Sequence, residues 1–421
     1  MAEHLPDWQH EFSLPSLEEW KAQLVKTLKG RTAEELHWLP EPGINVAAYY
    51  STSKEEVPEG WENSRPGSFP FLRGSGLARP GDGWQLIQEI NLNEASAKRR
   101  IKEARQAGIQ AFRLVGKTAS VDIWNQLHME QIAIHLAVDA APILSTTDLK
   151  MALSLQKAKP DILTGSLQYD PISDAAAKGK VIGDAAWIAC EGGISHMADS
   201  PHFRTLGVDL SYVRELGGAT SHELAFALGT IVEYLDHLSR MGHEIEELLA
   251  NLSVTFSTSN RFFLELAKFR AFRLLYANMV SAYQVDNSAL HPPFLMARST
   301  GRETAEDMPN HLIQLTTQSI SAILGGVDGM LAEAGEHEDA ARWARNIQHL
   351  LRHESHLHLV QDPAGGAHYM EILTHQLASE AWELFQKMEA TGGFLANIRN
   401  GRVPGLMEAF RRLEEERSAK A

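Results

Sequence analysis

The sequence has almost no cysteine and no long apolar run. Its 421 residues include one cysteine, Cys190, which excludes an internal disulfide and a cysteine-rich metal site. No stretch approaches the roughly 18 consecutive apolar residues that a membrane-spanning helix needs. The N-terminal segment MAEHLPDWQH is polar and lacks the apolar core of a secretory signal. We therefore expect a soluble, cytoplasmic protein.

Basic charge is also scarce. The chain has 39 Lys and Arg against 54 Asp and Glu, for a formal net charge of -15. Nucleic-acid binding needs a basic surface, so a nucleic-acid partner is disfavoured. The GxGxxG pattern after the first predicted strand, the GxSxG pattern, the P-loop and HExxH are all absent. With 44% hydrophobic and 22% charged residues, the composition is that of a globular protein.

Histidine, in contrast, is abundant, with 19 residues. His353, His356 and His358 lie close together in the sequence, and His128 and His135 are seven residues apart. Metal sites need convergent ligands at defined spacing. Because these histidines show no such pattern, we interpret them as surface or core residues and predict no metal site.

The chain divides into three regions. Residues 1–80 form an arm with one amphipathic stretch, Leu17 to Leu28, followed by a segment rich in Pro and Gly that includes Pro58 and Gly60. Such a segment cannot bury itself, so we expect it to lie on this chain or on a partner. Residues 81–326 alternate between short apolar runs and helical patterns, and residues 327–421 are helical throughout.

The central region predicts parallel βαβ units. The predicted strands are 84–90, 109–115, 133–139, 161–167, 203–211, 252–258 and 293–299, with 180–188 as a weak eighth. Eight units over this length predict an α/β fold, a (β/α)8 TIM barrel. A doubly wound open sheet is the alternative.

The long helix after residues 203–211 shows a clear pattern. Thr220 and Glu223 have the spacing of a capping box at its start, and Gly242 marks its end. Apolar residues recur every three or four positions, which predicts one buried stripe. The stripe consists of Leu224, Leu228, Ile231, Leu235 and Leu238.

Functional groups of a barrel lie at the carboxyl ends of its strands. The residues predicted there are Gly165, Ser166, Gln168, Lys180, Asp209, Ser211, Tyr212, Thr255, Ser257, Arg298 and Ser299. These small and polar side chains are compatible with a ligand that runs through the barrel centre, and equally with ordinary barrel packing. No acid–base pair stands out among them.

Several segments resemble one known family. The segment 252–277, LSVTFSTSNRFFLELAKFRAFRLLYA, is similar to the methylmalonyl-CoA mutase pattern LSFFFAIGMNFFMEIAKLRAARLLWA without a gap. Further similar segments are PGSFPFLRGSG (66–76), LTGSLQYD (163–170), AILGGVDGM (322–330), ARWARNIQHLLRHES (341–355) and QDPAGGAHYMEILTHQLASEAW (361–382). The resemblance implies an N-terminal arm, a barrel threaded by coenzyme A and a separate cobalamin-binding domain. It also implies interconversion of methylmalonyl-CoA and succinyl-CoA with adenosylcobalamin.

Family members that form heterodimers pair a large catalytic subunit with a small one that has lost its site. This sequence lacks the DxHxxG motif that holds the cobalamin, and its nearest approach, Asp236-His237, has the wrong spacing. The family's MYTGRPW segment, which carries a catalytic tyrosine, has no counterpart between Gly76 and Trp84.

The substrate pocket also departs from the family pattern. The segment 203–218 aligns with the family's catalytic segment, and its histidine falls on Tyr212, so no catalytic residue is expected. Asn251 and Lys180 replace arginines, and Arg298 replaces a glutamine. An asparagine cannot replace the planar fork of a guanidinium. A vestigial substrate or CoA channel is predicted at Ser166, Gln168, Lys180, Tyr212, Asn251, Ser253 and Arg298.

These departures favour a small, non-catalytic subunit of an adenosylcobalamin-dependent methylmalonyl-CoA mutase. We expect no cofactor on this chain alone and adenosylcobalamin on the large catalytic partner. The chain would form a heterodimer with that partner, or a homodimer in its absence. Two alternatives stay open: an acyl-CoA mutase barrel active with a separately encoded cobalamin-binding domain, and a stand-alone acyl-CoA-binding or assembly protein.

Overall fold

A computed structural model describes most of the chain: residues 16–29, 31–32, 34–50, 61–76, 83–116, 121–137, 142–285, 292–300, 308–333, 335, 337 and 339–418. Parts of the predicted arm, including Pro58 and Gly60, lie outside these ranges, as does the segment 77–82. Among the described residues, no helix has both the length and the apolar character to cross a bilayer.

The central sheet consists of parallel strands arranged around a barrel. In the described residues its strands are β3 (Gln85–Asn91), β4 (Ala111–Val115), β5 (Ala133–Ala137), β6 (Gly165–Gln168), β7 (Phe203–Arg204), β8 (Leu206–Asp209), β9 (Leu252–Thr258), β10 (Phe294–Ser299) and β11 (Gly329–Leu331). Their order is β7-β6-β5-β4-β3-β11-β10-β9-β8. Only Thr205 separates β7 from β8, so the two are halves of one strand. The predicted (β/α)8 barrel is confirmed.

Helices surround this barrel, and one further helix, α1 (Leu17–Thr27), lies in the arm. In the described residues the others are α2 (Ala97–Gln106), α3 (Val121–Leu127), α4 (Pro142–Leu155), α5 (Pro171–Lys178), α6 (Asp184–His196), α7 (Ser211–Glu215), α8 (Thr220–Arg240), α9 (Ile245–Ala250), α10 (Phe262–Ser281), α11 (Met308–Leu324), α12 (Ala340–His353), α13 (His368–Glu389), α14 (Phe394–Arg399) and α15 (Arg402–Ser418). The helix α13 packs along α8 and α10, so the C-terminal helices cover one side of the barrel.

The weak strand predicted over 180–188 is wrong. Helix α6 begins at Asp184, and it buries Trp187, Cys190 and Ile194, which are three and four residues apart. That spacing is typical of a helix. The strand was predicted from the apolar run alone, without regard to the period at which its apolar residues recur. The strand that closes the barrel is β11, which pairs with β10 and β3 and lies inside the region predicted as a helical extension.

The capping box predicted at Thr220 and Glu223 is also wrong, although the stripe of five leucine and isoleucine residues is fully buried. Helix α8 is capped by Glu41, at the end of the short hairpin strand β1 (Trp38–Glu41). The Thr220 amide and hydroxyl donate to Glu41 Oε1 at 2.8 and 2.7 Å. Glu223 turns inward instead and accepts from Ser257 Oγ at 2.9 Å. A carboxylate stabilises a helix N-terminus because the amides there lack partners.

The described parts of the arm lie on the chain's own surface. The hairpin of β1 and β2 (Ile44–Val46) buries Ile44, and the segment after it buries Phe71 and Leu72. Arg73 joins a buried group of four charged side chains, which we call the arm quartet: Arg73, Arg270, Asp362 and Glu371. The arm is therefore fixed to α10 and α13 of the same chain.

Candidate functional site

The structure separates the seven residues of the predicted channel. Gln168, Tyr212 and Arg298 lie at the carboxyl ends of the strands, where the sequence places them. Ser166 is buried inside the barrel, Ser253 is the second residue of β9, and Asn251 precedes that strand at the amino end. Lys180 follows α5 and is exposed. The seven do not converge on one site.

A cavity of about 1340 Å³ opens at the carboxyl ends of β3, β10 and β11 and continues between α2 and α12. Of the seven predicted residues, Arg298 alone is among its lining side chains. Ser211, Ser257 and Ser299, also placed at strand ends by the sequence, line it as well. We call this space the mouth cavity.

Arg298 is paired with Glu333, a residue that the sequence did not single out. Its Nε and Nη2 donate to the two carboxylate oxygens at 2.9 and 3.3 Å. Burial alone would lower the pKa of Arg298, but the Glu333 carboxylate, with Asp209 and Glu89 nearby, raises it above the usual arginine value. The Arg298 guanidinium is therefore permanently charged, and it already makes a bidentate ion pair with the Glu333 carboxylate.

A second pair lies beside the same cavity. Arg113 Nη1 is 2.5 Å from Glu89 Oε2, and its Nε donates to Gln168 Oε1 at 2.7 Å. Gln168 is thereby committed to an internal contact. Arg298 and Arg113 are thus each paired with a carboxylate of this chain, so an anion that approaches either guanidinium would have to displace Glu333 or Glu89. Arg345, which also lines the cavity, donates instead to Gln88 Oε1 at 2.7 Å.

Tyr212 lies on the short helix α7 and is nine-tenths buried. Its hydroxyl has no hydrogen-bond partner among the described residues. Burial raises the pKa of this phenol well above 10, and the nearby Asp170 and Asp209 carboxylates add to the shift. The phenol therefore stays neutral throughout the physiological range.

Asp170 is the one buried acid near Tyr212 with a pKa close to neutral. Burial raises its pKa to about 6, against hydrogen bonds that favour the charged form. It accepts from the Asp209 amide at 2.8 Å and from Tyr234 Oη at 3.1 Å. It also caps α5, so its contacts are those of a structural residue.

Beneath the mouth cavity, whose lining includes Ile87, the centre of the barrel is filled with side chains. Ile87, Ala111, Ala133, Met296 and Leu331 are 96% or more buried and form a cluster of their own, with Phe294 packed against it. Their strand neighbours, such as Leu86 and Phe112, belong to the separate core under the helices. Since successive side chains of a strand face opposite sides, the first set points inward.

His135 lies in the same interior. Its Nδ1 is 2.8 Å from Ser166 Oγ, and its Nε2 is 3.3 Å from Gln85 Oε1. Burial, with Arg113 nearby, lowers the pKa of His135 to about 3. Ser166, predicted to line a channel, is therefore a partner of a neutral buried histidine.

The arm contacts the amino end of the barrel at Ser75. Ser75 Oγ donates to Asp328 Oδ1 at 2.6 Å, and Asp328 Oδ2 accepts from the Leu295 amide at 2.8 Å. Asn251 accepts from Thr205 Oγ1 at 2.9 Å, so it too has a structural partner. The arm is thus hydrogen-bonded to the residue that directly precedes β11.

No group of three or more His, Cys, Asp or Glu side chains in the described part of the chain could hold a metal ion. His356 and His358 have ring centroids 6.3 Å apart, and His353 stacks on His349.

Comparison with known proteins gives the family. Residues 119–417 match the sequence profile of methylmalonyl-CoA mutase, which is most of the chain. The chain belongs to the methylmalonyl-CoA mutase family.

Three relatives illustrate this family membership. The methylmalonyl-CoA mutase small subunit of Porphyromonas gingivalis is 29% identical over 91% of this chain and 64% of its own length. The small subunit from Streptomyces virginiae is 28% identical over 96% of this chain and 67% of its own length. The large subunit from the same organism is 25% identical over 93% of this chain and 58% of its own length. The chain thus spans about two thirds or less of these mutase subunits.

The family resemblance implies that a histidine of a DxHxxG motif would hold adenosylcobalamin. The nearest sequence match here, Asp236-His237, lies within α8. The His237 ring stacks on Trp187 with centroids 4.0 Å apart, and its Nδ1 is 3.1 Å from the Glu233 carbonyl oxygen. Because the His237 imidazole is already fixed by Trp187 and Glu233, it does not fit the role of a residue that would hold the cofactor.

Proposed function

We propose that this chain is the non-catalytic small subunit of an adenosylcobalamin-dependent methylmalonyl-CoA mutase. Catalysis belongs to a large partner subunit, on which the cofactor supplies the radical chemistry. The contribution of this chain is a folded barrel that stabilises and positions that partner.

The packed barrel centre is the observation that carries this proposal. The family resemblance implies a coenzyme A chain threaded along the barrel axis. Ile87, Met296 and Leu331 occupy that axis here, in a cluster closed on its side by Phe294. Protein interiors pack tightly, so a pantetheine chain could enter only if these side chains moved apart.

The chemistry of the mouth supports the same conclusion. The position of the family histidine holds Tyr212, a neutral phenol without a described partner. Arg298 is held by Glu333 and Arg113 by Glu89. These three groups offer neither an acid that titrates near neutral pH nor an unpaired guanidinium for a carboxylate or thioester. The buried acid whose pKa is about 6, Asp170, is held by the Asp209 amide and Tyr234 Oη.

The names of the relatives support the proposal that the partner is a large mutase subunit. Two of them are small subunits, and Streptomyces virginiae has both a small and a large subunit that match this chain. A pair of related barrels, one with a lost site, is the arrangement that the resemblance implies.

The test is turnover. Purified chain is mixed with adenosylcobalamin and methylmalonyl-CoA, with and without a separately encoded cobalamin-domain protein, and succinyl-CoA is measured. We expect no product in either mixture. We also expect none from Tyr212→His, because the centre stays filled and Arg298 stays paired. Product from the mixture with the cobalamin domain would contradict the proposal and favour a split acyl-CoA mutase.

A further inference from the structure

The part of the mouth cavity between α2 and α12 is lined by arginine side chains from both helices. Arg99 and Arg100 come from α2, and Arg342 and Arg345 come from α12. Arg342 and Arg345 are three residues apart and therefore lie on one side of α12. We call these four residues the groove arginines, and the space between them the α2–α12 groove.

The groove is open at the carboxyl ends of the strands and closed at the other end. Both helices begin on the carboxyl side of the barrel, at Ala97 and Ala340. Towards the amino side, His349 Nε2 on α12 is 2.7 Å from the carbonyl oxygen of Ala107, the residue after α2. The two helices thus meet below the groove and are separated by the cavity at the mouth. A small molecule can therefore enter the groove without passing through the barrel centre.

Arg345 is a partly buried arginine that forms no ion pair in the described part of the chain. Its Nη1 donates to a neutral acceptor, Gln88 Oε1, at 2.7 Å. Its Nε is buried and has no hydrogen-bond partner among the described residues. Burial lowers the pKa of Arg345, and the nearby Arg100 and Arg342 charges lower it further, against the Glu103 carboxylate. Because an arginine stays protonated in proteins, this positive charge lies beside two others without a carboxylate in contact.

Arg100 and Arg342 are paired with carboxylates only near the surface. Arg100 Nη1 is 2.8 Å from Glu94 Oε2, and Arg342 Nη2 is 3.0 Å from Asp339 Oδ1. These four side chains are between 30 and 57% exposed. Exposed ion pairs contribute little because water screens them. A doubly charged anion can therefore compete with Glu94 and Asp339 for the two guanidinium groups.

Positive charge is in excess between the two helices. The four groove arginines face three carboxylates there, those of Glu94, Glu103 and Asp339. Glu103 is paired with Arg99, the most exposed of these pairs, at 3.2 Å. The whole chain has a net charge of -15, so a site with more arginines than carboxylates differs from its average surface. This local excess favours an anionic ligand.

The groove lies at the position where (β/α)8 barrels frequently bind phosphate groups. The mouth cavity opens at the ends of β10 and β11, which are the seventh and eighth strands of the barrel, and of β3, which is the first. In such barrels a phosphate group is often held by the loops after the seventh and eighth strands. Ser299 and Thr300, at the end of β10, line the same cavity and place hydroxyl groups there.

We propose that the α2–α12 groove binds a phosphate dianion between Arg345, Arg100 and Arg342. A guanidinium group binds phosphate through two parallel hydrogen bonds, which a lysine cannot provide. Arg345, oriented by Gln88, makes the main contact, and the other two arginines neutralise the second charge. Free phosphate and a small phosphate ester present the same dianion, and the cavity has room for either. The site uses no residue of the inward cluster at the barrel centre, so it does not depend on the proposed subunit role.

Isothermal titration with sodium phosphate, at about pH 8 and an ionic strength held constant with sodium chloride, tests the site. We expect saturable binding to the native chain with a Kd of about 2 mM, weak because three carboxylates lie in the groove. Arg345→Gln should raise this Kd at least about tenfold. Arg105→Gln is the matched control. Arg105 is also partly buried and also donates to a neutral oxygen, the Gln126 carbonyl at 2.8 Å, but it does not line the cavity. Its loss should change the Kd less than about twofold.

Two further measurements sharpen the assignment. Glu103→Gln removes the carboxylate that offsets the positive charge around Arg345, so it should lower the Kd for phosphate about threefold. Titration with glycerol phosphate separates the two sources of the dianion. A Kd at least about tenfold below that for free phosphate identifies a phosphate ester as the ligand, and a similar Kd identifies free phosphate.

The absence of saturable binding of both phosphate and glycerol phosphate to the native chain would overturn the proposal. Equal weakening by Arg345→Gln and Arg105→Gln would also overturn it, since binding would then follow overall charge and not this groove. Circular dichroism shows whether each variant is folded. If Arg345→Gln does not fold, Arg342→Gln replaces it, because Arg342 is exposed and its loss leaves the packing intact. We expect this variant to raise the Kd about threefold, and an unchanged Kd would contradict the proposal.

Discussion

The arm quartet and the mouth cavity both contain ion pairs between arginine and a carboxylate, but the pairs differ in how far they are buried. In the quartet, Arg73 and Arg270 meet Asp362 and Glu371, and all four are almost fully buried. At the mouth, Arg298 and Glu333 are each about one quarter exposed. Buried ion pairs cannot lose one partner without leaving a charge in an apolar environment, whereas exposed pairs are screened by water. The quartet therefore fixes the arm, and the mouth pair mainly neutralises a cavity.

The largest expected effect is at the quartet. Glu371→Gln removes the carboxylate that faces both Arg73 and Arg270, at 2.5 and 2.8 Å. We expect a loss of about 3 to 5 kcal/mol in the free energy of unfolding, because two guanidinium groups stay buried. Urea unfolding measures it.

Glu383→Gln, on the same helix, is the control for this change. Glu383 is exposed and pairs with Lys387 one turn away, so its loss should cost less than about 0.5 kcal/mol. Equal losses from Glu371→Gln and Glu383→Gln would show that the quartet does not hold the arm.

The next largest effect is expected at His135, in the barrel centre. The pKa of His135 is about 3 when folded and near 6.5 when unfolded, so only the unfolded chain gains the proton as pH falls below 6.5. The contribution of neutral His135 to the free energy of unfolding is therefore fully present above pH 6.5 and is lost as the pH falls towards 3. Between pH 6.5 and 5 this histidine should cost about 2 kcal/mol.

Unfolding of His135→Gln across this pH range measures the effect. The variant should lose less stability between pH 6.5 and 5 than the native chain, because its side chain does not titrate. Substitution of the exposed His128 by Gln serves as the control and should leave the pH dependence as it is. If the free energy of unfolding of His135→Gln depended on pH as steeply as that of the native chain, His135 would not be kept neutral by burial. Water would then reach the barrel centre.

The smallest effect is at the mouth. Glu333→Gln leaves Arg298 without its carboxylate, but the pair is partly exposed, so we expect a loss of only about 1 kcal/mol. The same urea series measures it. If Glu333→Gln lowered the free energy of unfolding as much as Glu371→Gln does, the ion pairs of the mouth and of the arm quartet would not differ in their contribution to stability.

The sequence predicted the barrel and most of its elements because apolar periods of two and 3.6 are local signals. It missed β11, since Gly329–Leu331 is too short to carry a period. It placed Lys180 in a pocket, yet Lys180 follows α5 in an exposed segment. The cap of α8 comes from Glu41, 179 residues earlier, a contact that no local pattern contains. The Arg298–Glu333 pair was missed for the same reason.

Binding of methylmalonyl-CoA is the most direct test of the central claim that the barrel axis is closed. Isothermal titration of the purified chain should give no saturable heat at ligand concentrations up to about 1 mM, because Ile87, Met296 and Leu331 fill the centre. Saturable binding with a Kd below about 100 μM, competed by free coenzyme A and lost in Ala111→Trp, would contradict the account.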